Sequence, residues 1–216
     1  VTVCPVCGSQ LVRGRWRDAE ATVEDLISDA VAAEIGVHQD LADPEVAIAV
    51  RRRNATQYLV SVHLAGTFGE IPAEEECTVA AAVRRATCER CSRMAGNYYE
   101  AIVQVRGSKG APSREELEEC RKIAQATTDS CLLRGDRLSF VQEVREVKGG
   151  IDLVVGSTAQ GRAIAKAIQE RFGGSSGESY TLVGMKDGKN VYRTSILVRL
   201  PRLRAGDIVR LLASGA

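Results

Sequence analysis

Three observations predict an α+β fold in two parts. The motif Cys4-Pro5-Val6-Cys7 recurs as Cys88-Glu89-Arg90-Cys91. Apolar residues alternate with period two in some segments and repeat at helical spacing in others. From Tyr98 onward the segments follow the order strand, helix, hairpin, helix, hairpin. The predicted organisation is a zinc-bound N-terminal α+β domain at 1–97, then a split βαβ-type antiparallel sheet with helices on one face at 98–201. Residues 202–216, around Gly206-Asp207-Ile208-Val209-Arg210-Leu211, read as the start of a truncated small β-barrel.

In the first part, Leu11 to Trp16 reads as a return strand after the first Cys pair. A helix is predicted from about Thr22 to Ile35, because Val23, Leu26, Ile27, Ala30 and Val31 recur at helical spacing and Gly36 stops it. Strands follow at Val46–Val50, Gln57–Leu64 and Cys77–Arg84. Tyr58, Val60, Val62 and Leu64 share one face of the second, and Gly66 to Pro72 reads as a turn. In the second part, Ala101 to Arg106 is a strand. Ser113 and Glu116 form a capping box at the head of the next helix. Phe140–Val147 and Ile151–Val155 make a hairpin about Lys148-Gly149-Gly150. Thr158 caps a helix with Ile164, Ala165, Ile168 and Phe172 on its apolar face, ended by Gly173-Gly174. Tyr180–Met185 and Val191–Leu200 pair around Asp187-Gly188. One sheet face is left free to bind, but it lacks the aromatic pair of RNA-recognition modules, which argues against base stacking.

Two thiolates two residues apart can turn onto one ion, and four fill the tetrahedral shell of Zn²⁺ with no open position. Cys4, Cys7, Cys88 and Cys91 are therefore the expected metal ligands. Gly8 frees the backbone just past the second ligand. Eighty residues separate the two pairs, so the ion ties distant parts of one domain. Two redox Cys-x-x-Cys motifs, or unrelated buried thiols, are the alternative. Of seven cysteines, Cys77, Cys120 and Cys131 remain. They read as small buried hydrophobes, with a Cys120–Cys131 disulfide as the alternative, and unbridged thiols point to a reducing cytoplasm.

The 216 residues are 44% hydrophobic and 26% charged with net charge +1, an ordinary globular balance. No apolar run approaches a membrane span. The chain starts at Val1 without Met and stops soon after Val209, so it reads as a fragment. Its cations are clustered: Arg13, Arg15 and Arg17; Arg51 to Arg53; Arg84, Arg85, Arg90 and Arg93; and Arg199, Arg202, Arg204 and Arg210. Each cluster alone fits solvated surface, and together they fit RNA or phosphate binding equally well.

Nothing marks a catalytic centre. His38 lies in a polar loop and His63 in a strand, neither near a nucleophile signature. No Walker-type loop or Gly-x-Gly-x-x-Gly follows a strand. A closed four-thiolate zinc cannot activate water without losing a ligand. Glu100, beside Tyr98 and Tyr99, is the one carboxylate in an unusual setting. Binding is expected, with no catalytic residue.

The run Cys88-Glu89-Arg90-Cys91-Ser92-Arg93-Met94-Ala95-Gly96-Asn97-Tyr98-Tyr99-Glu100-Ala101, continuing through Gln104-Val105-Arg106, resembles the large-ribosomal-subunit export adaptor family, nonsense-mediated decay protein three. Cys4-Pro5-Val6-Cys7-Gly8 with Gly14-Arg15-Trp16 fits it too, as does Tyr192-Arg193-Thr194 with Val198-Arg199-Leu200-Pro201. The compact form resembles an archaeal-type member. The long C-terminal tail and the further Cys-x-x-Cys region usual in the family are not in this sequence. The resemblance implies a non-catalytic, cytoplasmic factor on the large (60S/50S) ribosomal subunit. It would act in assembly, maturation or export and block premature subunit joining. Implied partners are rRNA, ribosomal proteins and other assembly or anti-association factors, with no membrane. In that reading 98–201 is a ribosome-binding domain. Arg84, Arg85, Arg90, Arg93 and Arg106 contact rRNA, and Tyr98 and Tyr99 fill a domain joint or stack on a base. A zinc-containing RNA-processing enzyme and a protein–protein adaptor are the alternatives.

Overall fold

The structure, a computed structural model, describes residues 1–186, 188–202 and 207–208. It is mixed α+β and divides into two compact units, Val1–Cys91 and Ser92–Ala216. The expected barrel start at 202–216 lies outside the described residues apart from 202, 207 and 208. So does Asp187 of the last expected turn.

The first unit holds two sheets. In chain order its elements are β1 (Thr2–Val3), β2 (Gln10–Val12), β3 (Arg15–Arg17), α1 (Val23–Ala32), β4 (Ala42–Arg52), β5 (Gln57–Phe68), β6 (Ile71–Ala82) and β7 (Arg84–Arg85). The stretch expected as one strand from Leu11 to Trp16 is a hairpin. Arg13 and Gly14 both take left-handed backbone angles, φ 49° and 77°, and turn β2 onto β3. Thr22 caps α1 through the Asp25 amide, and the Asp25 carboxylate returns to the Thr22 amide. The helix ends three residues before Ile35, because Glu34 N–H and Ile35 N–H bond three residues back and tighten the last turn. β5 and β6 run longer than predicted. Their ladder extends to Phe68↔Ile71, so most of the expected Gly66–Pro72 loop is strand.

The core of this unit lies between α1 and the β4-β5-β6 sheet. Ile27 and Val60 are fully buried, with Leu26, Tyr58, Val62 and Val83 around them. Removing each such side chain from water contributes roughly 1.5–3 kcal/mol. The predicted alternation of β5 therefore holds. Cys77 departs from its expected burial. Opposite Val62 on β6, it lines an open apolar groove of about 430 Å³ between α1 and the sheet.

The second unit contains β8 (Ala101–Gly107), α3 (Arg114–Leu133), β9 (Val141–Val147), β10 (Gly150–Val155), α4 (Thr158–Phe172), β11 (Ser175–Lys186) and β12 (Lys189–Leu200). Its sheet order is β11-β12-β8-β10-β9. Each helical crossover skips over intervening strands, giving the predicted split βαβ pattern. One ladder differs from the antiparallel expectation. β12 runs parallel to β8, Thr194↔Ala101 through Leu200↔Gly107, because the returning strand of the last hairpin inserts between β11 and β8. Ser113 and Glu116 make the expected capping box. The cap of α4 is Ser157, one residue before the expected Thr158, whose own N–H is engaged elsewhere. Val103, Val105, Ile151, Leu153, Ile164 and Ile168 form the core between the helices and the sheet. Cys120 and Cys131 are buried and unbridged.

Candidate metal centre

A two-residue parallel ladder brings the distant Cys pairs together. Thr2 lies opposite Arg84 and Val3 opposite Arg85. The ladder is extended by Arg84 N–H donating to the Val1 carbonyl at 2.8 Å and Ala86 N–H to that of Val3 at 3.1 Å. The chain therefore leaves β1 at Cys4 beside the point where it leaves β7 toward Cys88. Past Cys4 the backbone folds on itself. Gly8 N–H donates to the Cys4 carbonyl at 3.0 Å, Cys4 N–H to that of Ser9 at 2.8 Å, and Gly8 sits at φ 75°, a conformation a side chain resists. The second pair opens the short helix α2 (Glu89–Ala95), which sequence reading treated only as a knuckle.

The four sulfurs all lie within 4.8 Å of one another. Cys7 Sγ is 3.6 Å from Cys88 Sγ. Backbone amides already point at the cluster: Cys88 N–H at Cys4 Sγ, 3.4 Å, and Cys91 N–H at Cys88 Sγ, 3.5 Å. Trp16 packs against the buried Cys4, Cys88 and Cys91, while Cys7 is exposed. Behind Cys7 stands fully buried Ser9, whose hydroxyl lies 2.9 Å from Cys7 Sγ and donates to Asp18 Oδ1 at 2.9 Å. Ser9 and Asp18 carry no sequence signal beyond closeness to the first pair, and Trp16 reads from sequence as a strand end and family motif residue rather than as packing for the thiols.

Four thiolates this close repel one another, and the thiols divide accordingly. Burial pushes Cys4 up, but amide donors from Cys88, Cys7 and Val6 outweigh it and bring the thiol down to about 6. Burial likewise opposes ionisation of Cys7, and the Ser9 hydroxyl and amide pull it below the ordinary thiol range. Cys91 moves upward, through burial first and then the neighbouring Cys88. A cation at the centre removes this conflict, and the all-sulfur donor set fits a metal ion.

The predicted arginines fall into two groups. Arg84 and Arg85 are exposed on β7. Arg90, on α2, keeps a buried Nε with no hydrogen-bond partner. Arg93 instead donates to Glu100 Oε1 at 3.2 Å and lies over the Tyr98 ring at 4.6 Å. Arg106 donates to Asp152 Oδ1 at 2.6 Å and to the Val105 and Ile151 carbonyls, so its donors are turned into the sheet. Tyr98 donates to Glu100 Oε1 at 3.1 Å, and the Arg193 guanidinium covers Tyr99 at 4.0 Å. Glu100 is the hub of this region. It also accepts from Thr158 N–H at 3.3 Å, at the head of α4. Its unusual sequence setting was noticed; the helix end it serves was not. His38 and His63 are both exposed, beside Asp40 and Glu74.

This is an α+β chain whose four clustered thiols could hold a metal ion. Residues 1–96 match the family model described as NMD3, N-terminal domain, and residues 98–200 that described as NMD3, second domain. The chain belongs to the NMD3 family. That family is ribosome-associated, linked to the large subunit, and of adaptor type rather than enzymatic. No curated protein matches the chain. Among the described residues no helix is long and apolar enough to cross a membrane.

Proposed function

We propose that this chain is a non-catalytic factor that binds the large ribosomal subunit during its assembly, maturation or export and blocks premature joining of subunits. The observation that carries this reading is the pair of NMD3 matches, which span residues 1–96 and 98–200. The cofactor is Zn²⁺. A tetrahedral zinc with Zn–S bonds of about 2.3 Å holds its sulfurs about 3.8 Å apart. The 3.6 Å between Cys7 and Cys88 and the 4.8 Å limit on the whole set bracket that spacing.

The ion holds β1 and β7 in their ladder and so presents the exposed guanidiniums of Arg84 and Arg85, with Arg90 on the adjoining helix, to rRNA phosphates. Arg93 and Arg106 act on the ribosome-binding unit from within, through Glu100 and Asp152. Tyr98 and Tyr99, each covered by a guanidinium, serve as packing groups near the domain joint. The division at 1–97 and 98–201 belongs to this reading. So do an archaeal-type role, a cytoplasmic location and contacts with ribosomal proteins and other anti-association factors. The unbridged cysteines support a reducing compartment.

The test is sedimentation of the chain with ribosomal particles on a sucrose gradient. It should comigrate with large subunits and be excluded from joined ribosomes. Equal binding to joined ribosomes, or none to large subunits, overturns the reading.

A further inference from the structure

The β11–β12 hairpin runs on past its sheet. β12 pairs with β8 only from Thr194 onward, so the turn-side stretches, Thr181–Lys186 and Lys189–Arg193, pair with each other alone, with Tyr180 at their base opposite Thr194. The ladder register shifts between Leu182 and Gly184: Leu182 lies opposite Tyr192, Gly184 opposite Val191 and Met185 opposite Asn190. Strand side chains alternate in facing, and one extra residue resets that alternation. The bulge thereby puts Met185 on the same face as Tyr180, Leu182 and Tyr192. These four are 70%, 58%, 55% and 49% exposed. A two-stranded ribbon with a continuous stripe of large side chains in water marks an interaction surface.

Two features identify the occupant. Both rings are tethered at the hydroxyl, leaving much of each ring open. Tyr180 donates to Glu178 Oε2 at 2.7 Å and accepts from Arg162 at 3.2 Å, while Tyr192 accepts from Asn190 at 3.4 Å. The turn end of the arm also carries a surplus of positive charge in sequence: residues 181–192 contain Lys186 and Lys189 against Asp187 alone, while Arg193 next to them is held over Tyr99. An apolar pocket in a protein partner needs neither held aromatic faces nor surplus positive charge. Unpaired RNA needs both, the rings for its bases and the cations for its phosphates.

We propose that the β11–β12 arm binds single-stranded RNA, with bases stacked on Tyr180 and Tyr192. The aromatic pair missing from the sheet is supplied by the hairpin beyond it. That the RNA is ribosomal rests on the function proposed above; the stacking does not.

The test measures binding of the full chain to a labelled single-stranded RNA of about twelve nucleotides, within the usual site size. Tyr180→Leu with Tyr192→Leu keeps apolar bulk and removes the π faces. It should weaken binding at least about tenfold, as loss of stacking does. The paired Phe variant should stay within about twofold of the unaltered protein. Ultraviolet crosslinking of the unaltered chain, which does not depend on any variant folding, should place RNA on β11–β12 peptides. Unchanged binding by the Leu pair, or crosslinks confined elsewhere, overturns the inference. Loss of large-subunit binding by the Leu pair with RNA binding unchanged also overturns it, in favour of a protein pocket. If RNA binding depends on the tyrosines but the chain ignores large subunits, the arm stands and the ribosomal reading falls.

Discussion

Replacing Cys88 and Cys91 together by Ser should unfold the first unit and spare the second. The ion closes a loop of eighty intervening residues between Cys7 and Cys88. In the chain-entropy account, a cross-link over a loop of that size stabilises by about 4.5 kcal/mol. Without the ion only the two-residue β1–β7 ladder and its flanking backbone bonds hold those ends together. For a unit of this size, each kcal/mol shifts the melting midpoint by about 4–8 °C. The double variant should therefore lower the midpoint of the first unit by at least about 18 °C. Segment-resolved hydrogen exchange on the full chain is the suitable assay, because the core of the second unit serves as internal control. Protection at Tyr58, Val60 and Val62 should collapse while that at Val103, Val105 and Leu153 persists. A variant that has lost its metal yet keeps first-unit protection within about 1 kcal/mol would refute the reasoning.

Four further outcomes follow from the same geometry. Thr22→Ala should cost about 1 kcal/mol in the first unit by uncapping α1. The Thr22 hydroxyl holds the Asp25 carboxyl below its ordinary range, so that contribution is present above the unfolded carboxyl value and fades as pH falls through the folded one. Denaturation midpoints of Asp25→Asn and the unaltered chain should accordingly differ at pH 6 and converge in strong acid. Arg106→Ala should destabilise the second unit by about 2 kcal/mol by stranding largely buried Asp152, as seen in urea unfolding. Arg84→Glu with Arg85→Glu, on exposed β7, should leave melting unchanged while weakening large-subunit binding and reducing its logarithmic salt slope by roughly two.

Local chemistry accounts for what could be read ahead of the structure. The cap at Ser113, the alternation of β5 and the paired Cys-x-x-Cys motifs are encoded within a few residues. The structure shows all three, with β5 four residues longer than expected. Whatever depended on register is not so encoded. The parallel β12–β8 ladder, the bulge that carries Met185 onto the face of Tyr192, and the exposure of Cys77 each follow from which strands lie side by side. The arginines show the same division: their clustering is a sequence fact, but only the fold shows Arg106 committed to Asp152 while Arg84 and Arg85 remain exposed.

The metal centre is tested most directly by X-ray absorption at the zinc edge on the purified, untreated chain. A single shell of four sulfurs at about 2.3 Å, at one zinc per chain, is the expected spectrum. A folded chain without zinc, or a zinc carrying oxygen or nitrogen in place of one of these thiolates, would contradict it.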